Sequence, residues 1–373
     1  MSINYTVIGL NESLAPKEPE PKYSGVKAVV IVIILSLVII VSIAGNLLVV
    51  IAVCTERALR KTTNFFYVSL AIADLMVSTM VMTFAVANDI LGYWTMGVKF
   101  CSVWISFDIM CSTSSILNLC TISLDRYIHI RFPLRYEACM TARMTLSVIA
   151  GVWVCSALIS FVPIQLGWHG TKWEDFDTGS AVFYCYLELN STYAIVSSCV
   201  SFYVPCAIMI GIYFKMYQYA RKHVKSIKQV TTGPDHADRQ SRISDQKAAI
   251  TLGVIMGTFL FCYIPFFTTN VVASFCNDCV SSELFSGLSW LGYVNSCFNP
   301  VIYSIFNKEF RKAFYKILCM KSACCEKEQP LSSYNYKHRS TGSTNSYTAA
   351  QVELIGSVNG SSRHQTKLGY MPP

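Results

Sequence analysis

Apolar residues gather along this chain into seven long runs separated by shorter polar segments. The runs are Ala28–Val53, Thr63–Ala87, Val98–Ile130, Ala142–Leu166, Ala194–Tyr217, Ala248–Ser274 and Leu284–Phe306. Crossing the ~30 Å hydrocarbon core of a bilayer takes roughly 20 residues of helix at about 1.5 Å each, and every run meets that length. The pattern predicts an all-α membrane protein, a seven-transmembrane helix bundle over 28–306. The third, fifth and sixth runs carry polar groups and prolines, so their interiors are expected to face protein or water.

After Phe306 the pattern changes to an amphipathic one. Phe310, Phe314, Ile317 and Leu318 fall on one side, with Lys308, Arg311, Lys312 and Lys316 around them. This predicts a short eighth helix over 307–319 lying on the membrane surface. Cys319, Cys324 and Cys325 follow it, placed for palmitoylation that would strengthen a weak interfacial attachment. Residues 320–373 form a tail that beyond Glu326 is rich in Ser, Thr, Asn and Gly, a composition expected to stay disordered.

Composition agrees: 53% of the 373 residues are hydrophobic and 14% charged, against roughly 25% charged in soluble domains. The length alone would allow about two soluble domains, but one embedded bundle explains why charge avoids the runs. Most of the 16 cysteines lie inside the runs as small hydrophobes. Residues 1–24 lack the apolar core of a cleavable signal, so the first run is expected to act as an uncleaved anchor.

Lys and Arg set the orientation. Arg57, Arg60, Lys61, Arg131, Arg135, Arg143, Lys215, Arg221, Lys222, Lys225, Lys228, Arg311, Lys312 and Lys316 fall on one set of connections, while Glu174, Asp175, Asp177 and Glu188 fall on the other. The basic side is cytoplasmic, which puts the N-terminus outside and the C-terminus inside. Sequons at Asn4, Asn11 and Asn190 lie on the expected outside, where glycans are added.

Ordered polar residues inside the runs carry a resemblance. Gly45-Asn46, the LAIAD ending at Asp74, Asp125-Arg126-Tyr127, Trp153, Pro205, FCYIPFF from Phe261 to Phe267 and Asn299-Pro300-Val301-Ile302-Tyr303 follow in order, one motif per run. Together they resemble rhodopsin-like G-protein-coupled receptors of the biogenic-amine group. FDIMCSTSSILNLC (Phe107–Cys120), ISFVPIQLGWH (Ile159–His169) and TYAIVSSCVSFYVP (Thr192–Pro205) look most like dopamine receptors of the cyclase-stimulating type. Two positions depart from that type: Tyr263 and Tyr293 each stand where tryptophan is usual.

Chemistry and resemblance together imply a ligand site. A carboxylate in an apolar run costs several kcal/mol without a partner or a watery cavity. Asp108 lies seven residues past Cys101, about 10 Å down the helix, and no apolar run offers a Lys or Arg at that depth. It is read as the partner of a ligand ammonium. Ser197, Ser198 and Ser201 are placed to bond the hydroxyls of a catechol, with 197 and 201 four apart on one face; the bland alternative is back-bonding to their own helix. Phe266 and Phe267 supply aromatic faces, Asn270 a hydrogen bond, Tyr293 a partner for Asp108, and Ser112 a hydroxyl one turn from it.

The resemblance implies a disulfide between Cys101 and Cys185, and the C-x-x-C of Cys276 and Cys279 is read as a local disulfide rather than a zinc pair, for want of two further ligands. Asp74, Ser115, Asn295 and Asn299 resemble an internal sodium site; no other cofactor is expected. Asp125, Arg126, Tyr127, Tyr213, Asp245, Tyr263, Pro300 and Tyr303 are read as the switch. In it an Arg126–Asp245 ion pair, shorter than the family's usual glutamate pair, restrains the resting state. The expected partners are a cationic amine, a heterotrimeric G protein of the stimulatory type, arrestin and receptor kinases at the tail, and membrane lipid; no nucleic acid is expected. The native amine is left open among dopamine, noradrenaline, octopamine, serotonin, histamine and trace amines. A transporter would show internal repeats and more spans, and an enzyme a phosphate loop or a nucleophile with its base; neither pattern is present in the sequence.

Overall fold

The computed structural model describes residues 21–168, 185, 190–229, 236–276 and 279–319, with the backbone alone for 133, 137, 220–229 and 236–249. Seven long helices carry the fold. They are α1 (Gly25–Thr55), α2 (Thr62–Leu91), α3 (Val98–Arg131), α4 (Ala142–Gln165), α5 (Ser191–Ser198, Cys199–Tyr203 and Val204–Gln229 in continuous succession), α6 (His236–Ala273) and α7 (Ser282–Phe306). A short helix, Pro133–Cys139, links α3 to α4, and α8 (Lys308–Leu318) follows α7. No strand occurs among the described residues. The expected N-terminal sequons Asn4 and Asn11, the tail, and Cys324 and Cys325 lie outside the described residues.

Packing closes a ring. α1 packs on α2 and α7, α7 on α6, α6 on α5, and α3 touches α2, α4, α5 and α6. In the most apolar window of α3, 61% of residues are buried inside the bundle, against 6% in α1. α3 is therefore the axis and α1 a peripheral stave. The outer surface is apolar, with Val29, Ile33, Leu37, Ile40, Leu146, Val154, Leu158 and Ile208 exposed. A continuous apolar exterior of this kind is stable against lipid and not against water.

Among the described residues, six helices are apolar enough to cross a membrane on composition. α7 is long enough but more polar, because its inward face carries Asn295, Ser296 and Asn299. Its place comes from packing. Gly45 lets α1 approach it so closely that an added Cβ would stand 2.9 Å from Pro300 Cγ. Asn46 then bridges the pair, its amide donating to the Ser42 and Ser296 carbonyls at 2.9 and 3.0 Å.

Two helices carry a π-turn that hydropathy does not announce, Val77–Val81 in α2 and Cys199–Tyr203 in α5. Such turns persist where something outside the helix takes the displaced groups. In α2 the Trp104 indole N–H donates to the Val81 carbonyl at 3.2 Å. In α5 the turn ends at Tyr203, and Pro205, which has no N–H to continue the ladder, follows after Val204. α5 and α6 also run past the expected ends of their spans, to Gln229 and back to His236.

α8 is amphipathic as expected: Phe310, Ala313 and Phe314 are buried, while Tyr315 and Leu318 are exposed. Asn307 caps it, its side-chain oxygen accepting from the Glu309 and Phe310 N–H groups. Ion pairs Lys61–Glu309 at 3.3 Å and Lys316–Glu56 at 2.9 Å tie it to the α1–α2 connection. Both are solvated pairs that fix direction more than they stabilise.

Candidate ligand cavity and switch

A cavity of about 750 Å³ opens between the helices at the end that carries the Cys101–Cys185 disulfide. Each of the nine residues expected to hold a ligand lines it: Asp108, Ser112, Ser197, Ser198, Ser201, Phe266, Phe267, Asn270 and Tyr293. Tyr263, assigned above to the switch, lines it too. The disulfide, with Cα atoms 5.8 Å apart, ties Cys185 to the top of α3, and both cysteines are buried. Cys276 and Cys279 are paired as well.

Asp108 accepts a hydrogen bond from the Tyr293 hydroxyl at 2.8 Å. α3 and α7 meet through this bond, which fixes the carboxylate rotamer and leaves its other oxygen for a further partner. Ser112 lies against the same carboxylate one turn along α3. No Lys or Arg reaches Asp108 in any described ion pair, so its charge is matched by hydrogen bonds alone.

The serines of α5 do not divide as their spacing implies. Ser197 back-bonds to its own helix, donating to the Ala194 carbonyl at 3.3 Å. Ser198 and Ser201 are buried, and their hydroxyls have no partner among the described residues. All three serines line the cavity, but the back-bond occupies the Ser197 hydroxyl, while those of Ser198 and Ser201 stay open. Buried hydroxyls without partners are costly, and these two border a cavity that can supply them.

Aromatic rings close the inner end. Phe202 stacks on Phe267 with centroids 4.4 Å apart, and Tyr263 packs on Phe259 at 4.9 Å. Sequence reasoning missed the outer half. There Asp89 accepts from the Trp290 indole at 2.6 Å and from Ser286 at 3.0 Å, joining α2 to α7. An acid two residues past the predicted end of a run reads as an interfacial charge, so no signal in the sequence singled it out.

Below the cavity, Asp74 is fully buried. Its oxygens accept from Asn299 at 2.8 Å, Ser296 at 2.9 Å and Ser115 at 3.4 Å. Asn295, expected in this set, is not bonded to Asp74; its amide nitrogen has no partner among the described residues, and Ser296 takes its place. Neighbouring positions on a helix point about 100° apart, and the sequence does not reveal how α7 is rotated near Pro300.

At the far end, Arg126 pairs with its neighbour Asp125, Nη2 to Oδ2 at 2.7 Å and Nε to the same oxygen at 3.0 Å. Tyr136 of the short linking helix donates to the other Asp125 oxygen at 2.6 Å. Burial, then its bond to Asp125, pushes the Tyr136 phenol up to about 12, so it remains a donor across the physiological range. The Asp245 side chain, the expected partner of Arg126, lies outside the described residues. Tyr303 sits edge-on to Tyr67 at 5.1 Å, and its buried hydroxyl has no partner among the described residues. Tyr213 lies against Gly253 of α6. Tyr127 is partly buried on the apolar core. Asn190 is exposed and caps α5, accepting from the Thr192 N–H at 3.1 Å. Cys319 is exposed at the end of α8.

Comparison with known proteins decides the family. Residues 45–303 match the family of 7 transmembrane receptors described as the rhodopsin family. The chain belongs to the rhodopsin family of seven-transmembrane receptors. It is a multi-pass membrane receptor and not an enzyme. Among its relatives, "Dopamine receptor 1" of Drosophila melanogaster is 50% identical over 342 residues, covering 84% of this chain and 67% of that protein. The "D(1C) dopamine receptor" of Xenopus laevis is 43% identical, covering 78% and 68%. The "D(1B) dopamine receptor" of Mus musculus is 40% identical, covering 78% and 69%.

Proposed function

We propose that this receptor is activated by a catecholamine, dopamine first among them, and couples to a stimulatory G protein that raises cyclic AMP. The observation that carries the reading is the chemistry gathered in one cavity: a carboxylate on α3 and two buried, unpartnered hydroxyls on α5. A catecholamine presents the complementary set, an ammonium at one end and two ring hydroxyls at the other. The rings of Phe266 and Phe267 border the same space, and relatives named as dopamine receptors support the choice. The cavity faces the outside in this reading, which the charge distribution of the loops supports.

The Asp74 pocket fits a small hard cation. It offers one carboxylate and the hydroxyl oxygens of Ser115 and Ser296, and the buried Asn46 oxygen and Asn295 nitrogen have no partners among the described residues. Sodium with water would satisfy them. In the proposed switch, agonist contacts on α5 and α6 swing the inner half of α6 outward at Pro265 while Pro300 gives α7 its own hinge. The Arg126–Asp245 pair, worth about 1 kcal/mol when hydrated, biases the resting state without locking it. Tyr213 and Tyr303 then move toward Arg126, and the opened cavity receives the C-terminal helix of a G-protein alpha subunit. The Ser- and Thr-rich tail is the segment offered to receptor kinases and arrestin, with lipid on Cys319 and its neighbours.

A concentration series of dopamine, noradrenaline, octopamine, serotonin and phenethylamine against cyclic AMP in transfected cells tests the reading. Dopamine is expected to act at the lowest concentration. A response to serotonin or octopamine at lower concentration than dopamine would reject the catechol assignment and leave an amine receptor of another kind.

A further inference from the structure

Residues Lys22 and Tyr23 precede α1 yet are fastened to the end of α2. The Lys22 N–H donates to the Leu91 carbonyl at 3.0 Å and the Tyr23 N–H to the Ile90 carbonyl at 3.3 Å. Both carbonyls belong to the last turn of α2, where no later helical N–H can take them. Gly92 ends that turn in the left-handed region at φ +73°, and a Cβ on it would stand 2.8 Å from the Lys22 Cβ. A glycine there serves both the turn and the seat beneath the strap.

From this anchor the Lys22 side chain reaches α7, its ammonium donating to the Ser282 hydroxyl at 3.0 Å. Lys22, Gly92 and Ser282 all line the outer cavity, as do Asp89 and Ser286. Lys22 is the one cationic side chain lining the cavity among the described residues. A backbone-fastened ammonium therefore bridges α2 and α7 on the route that a guest takes towards Asp108.

We propose that the Lys22–Ser282 tether is a gate on amine exchange, slowing both entry and exit of cationic guests while contributing little to final affinity. The inference rests on the reading of Asp108 as the partner of a ligand ammonium. A tether made of one exposed hydrogen bond opens readily, so it acts on rates. Its charge repels an incoming cation over about 8 Å at physiological salt.

The test uses the full-length receptor in membranes and tritiated dopamine, with association and dissociation followed by rapid filtration. Lys22→Met keeps the backbone bonds and loses both charge and tether; it is expected to raise both rates by about two- to tenfold, the factor one net hydrogen bond is worth. Ser282→Ala loses the tether and keeps the charge, so dissociation rises while association gains less. Added salt is expected to slow association more in Lys22→Met than in the unaltered receptor, because only attraction to the cavity acids remains to be screened. Unchanged rates in both variants, with Asp108-dependent binding intact, overturn the gate alone. Absence of Asp108-dependent binding in the unaltered receptor overturns the gate together with the pocket reading.

Discussion

A single methyl group on α6 tests the proposal that the packing of Tyr213 on Gly253 belongs to the closed, resting state of the switch. Gly253 faces Tyr213 of α5, and a Cβ placed on it would stand 2.8 Å from the Tyr213 Cζ and 3.0 Å from Cε2, with the hydroxyl oxygen closer still. The phenol is rigid beyond its Cβ, so relief requires the whole ring to rotate away or the two helices to part. Overpacking of this kind costs about 1–3 kcal/mol. Alanine also favours helix over glycine by about 1 kcal/mol, but that gain acts in open and closed conformations alike and cancels from their ratio. A net penalty near the low end, about 1.4 kcal/mol on the closed state, raises the open fraction about tenfold. Gly253→Ala is therefore expected to raise ligand-free cyclic AMP several-fold at matched surface expression, with the dopamine maximum little changed. Basal output equal to or below that of the unaltered receptor would refute the packing argument.

Other consequences can be measured alongside. Ser201→Ala removes one of the two unpartnered hydroxyls of α5 and should weaken dopamine by about 1 kcal/mol while leaving phenethylamine nearly unchanged; equal losses for both would remove the catechol contact. Asp74→Asn should abolish any difference in dopamine affinity between sodium and N-methylglucamine buffers, and a difference that survives would place the cation elsewhere. Asp245→Glu should lower ligand-free cyclic AMP by lengthening the reach to Arg126; no drop would reject that ion pair.

The bilayer made most of the fold legible. A helix that must satisfy every backbone group in lipid advertises itself as an unbroken apolar run, so the seven spans and the amphipathic α8 were all expected. Hydropathy is silent where lipid is not the partner. α5 and α6 continue to Gln229 and back to His236 on sequence that is no longer apolar. The π-turns at Val77–Val81 and Cys199–Tyr203 are likewise hidden: the first is bonded by the indole of Trp104 from another helix, and which α5 hydroxyl back-bonds, Ser197 rather than Ser198 or Ser201, is not written in the spacing. The candidate site divides in the same way. Asp108 stood out because a charge in an apolar run needs a reason, and the structure supplies Tyr293 as its partner. Asp89, Trp290 and Lys22 did not, since polar groups near the ends of runs are ordinary until tertiary packing places them in one cavity.

The most direct measurement is amine affinity of Asp108→Asn, compared with the unaltered receptor at equal surface expression. The substitution keeps the size of the side chain and an oxygen for Tyr293 while removing the charge that faces the ammonium. A charge-assisted bond of this kind is worth about 1.5–3 kcal/mol, so dopamine affinity should fall by at least tenfold and cyclic AMP signalling should shift with it. Unchanged affinity in correctly inserted protein would contradict the account.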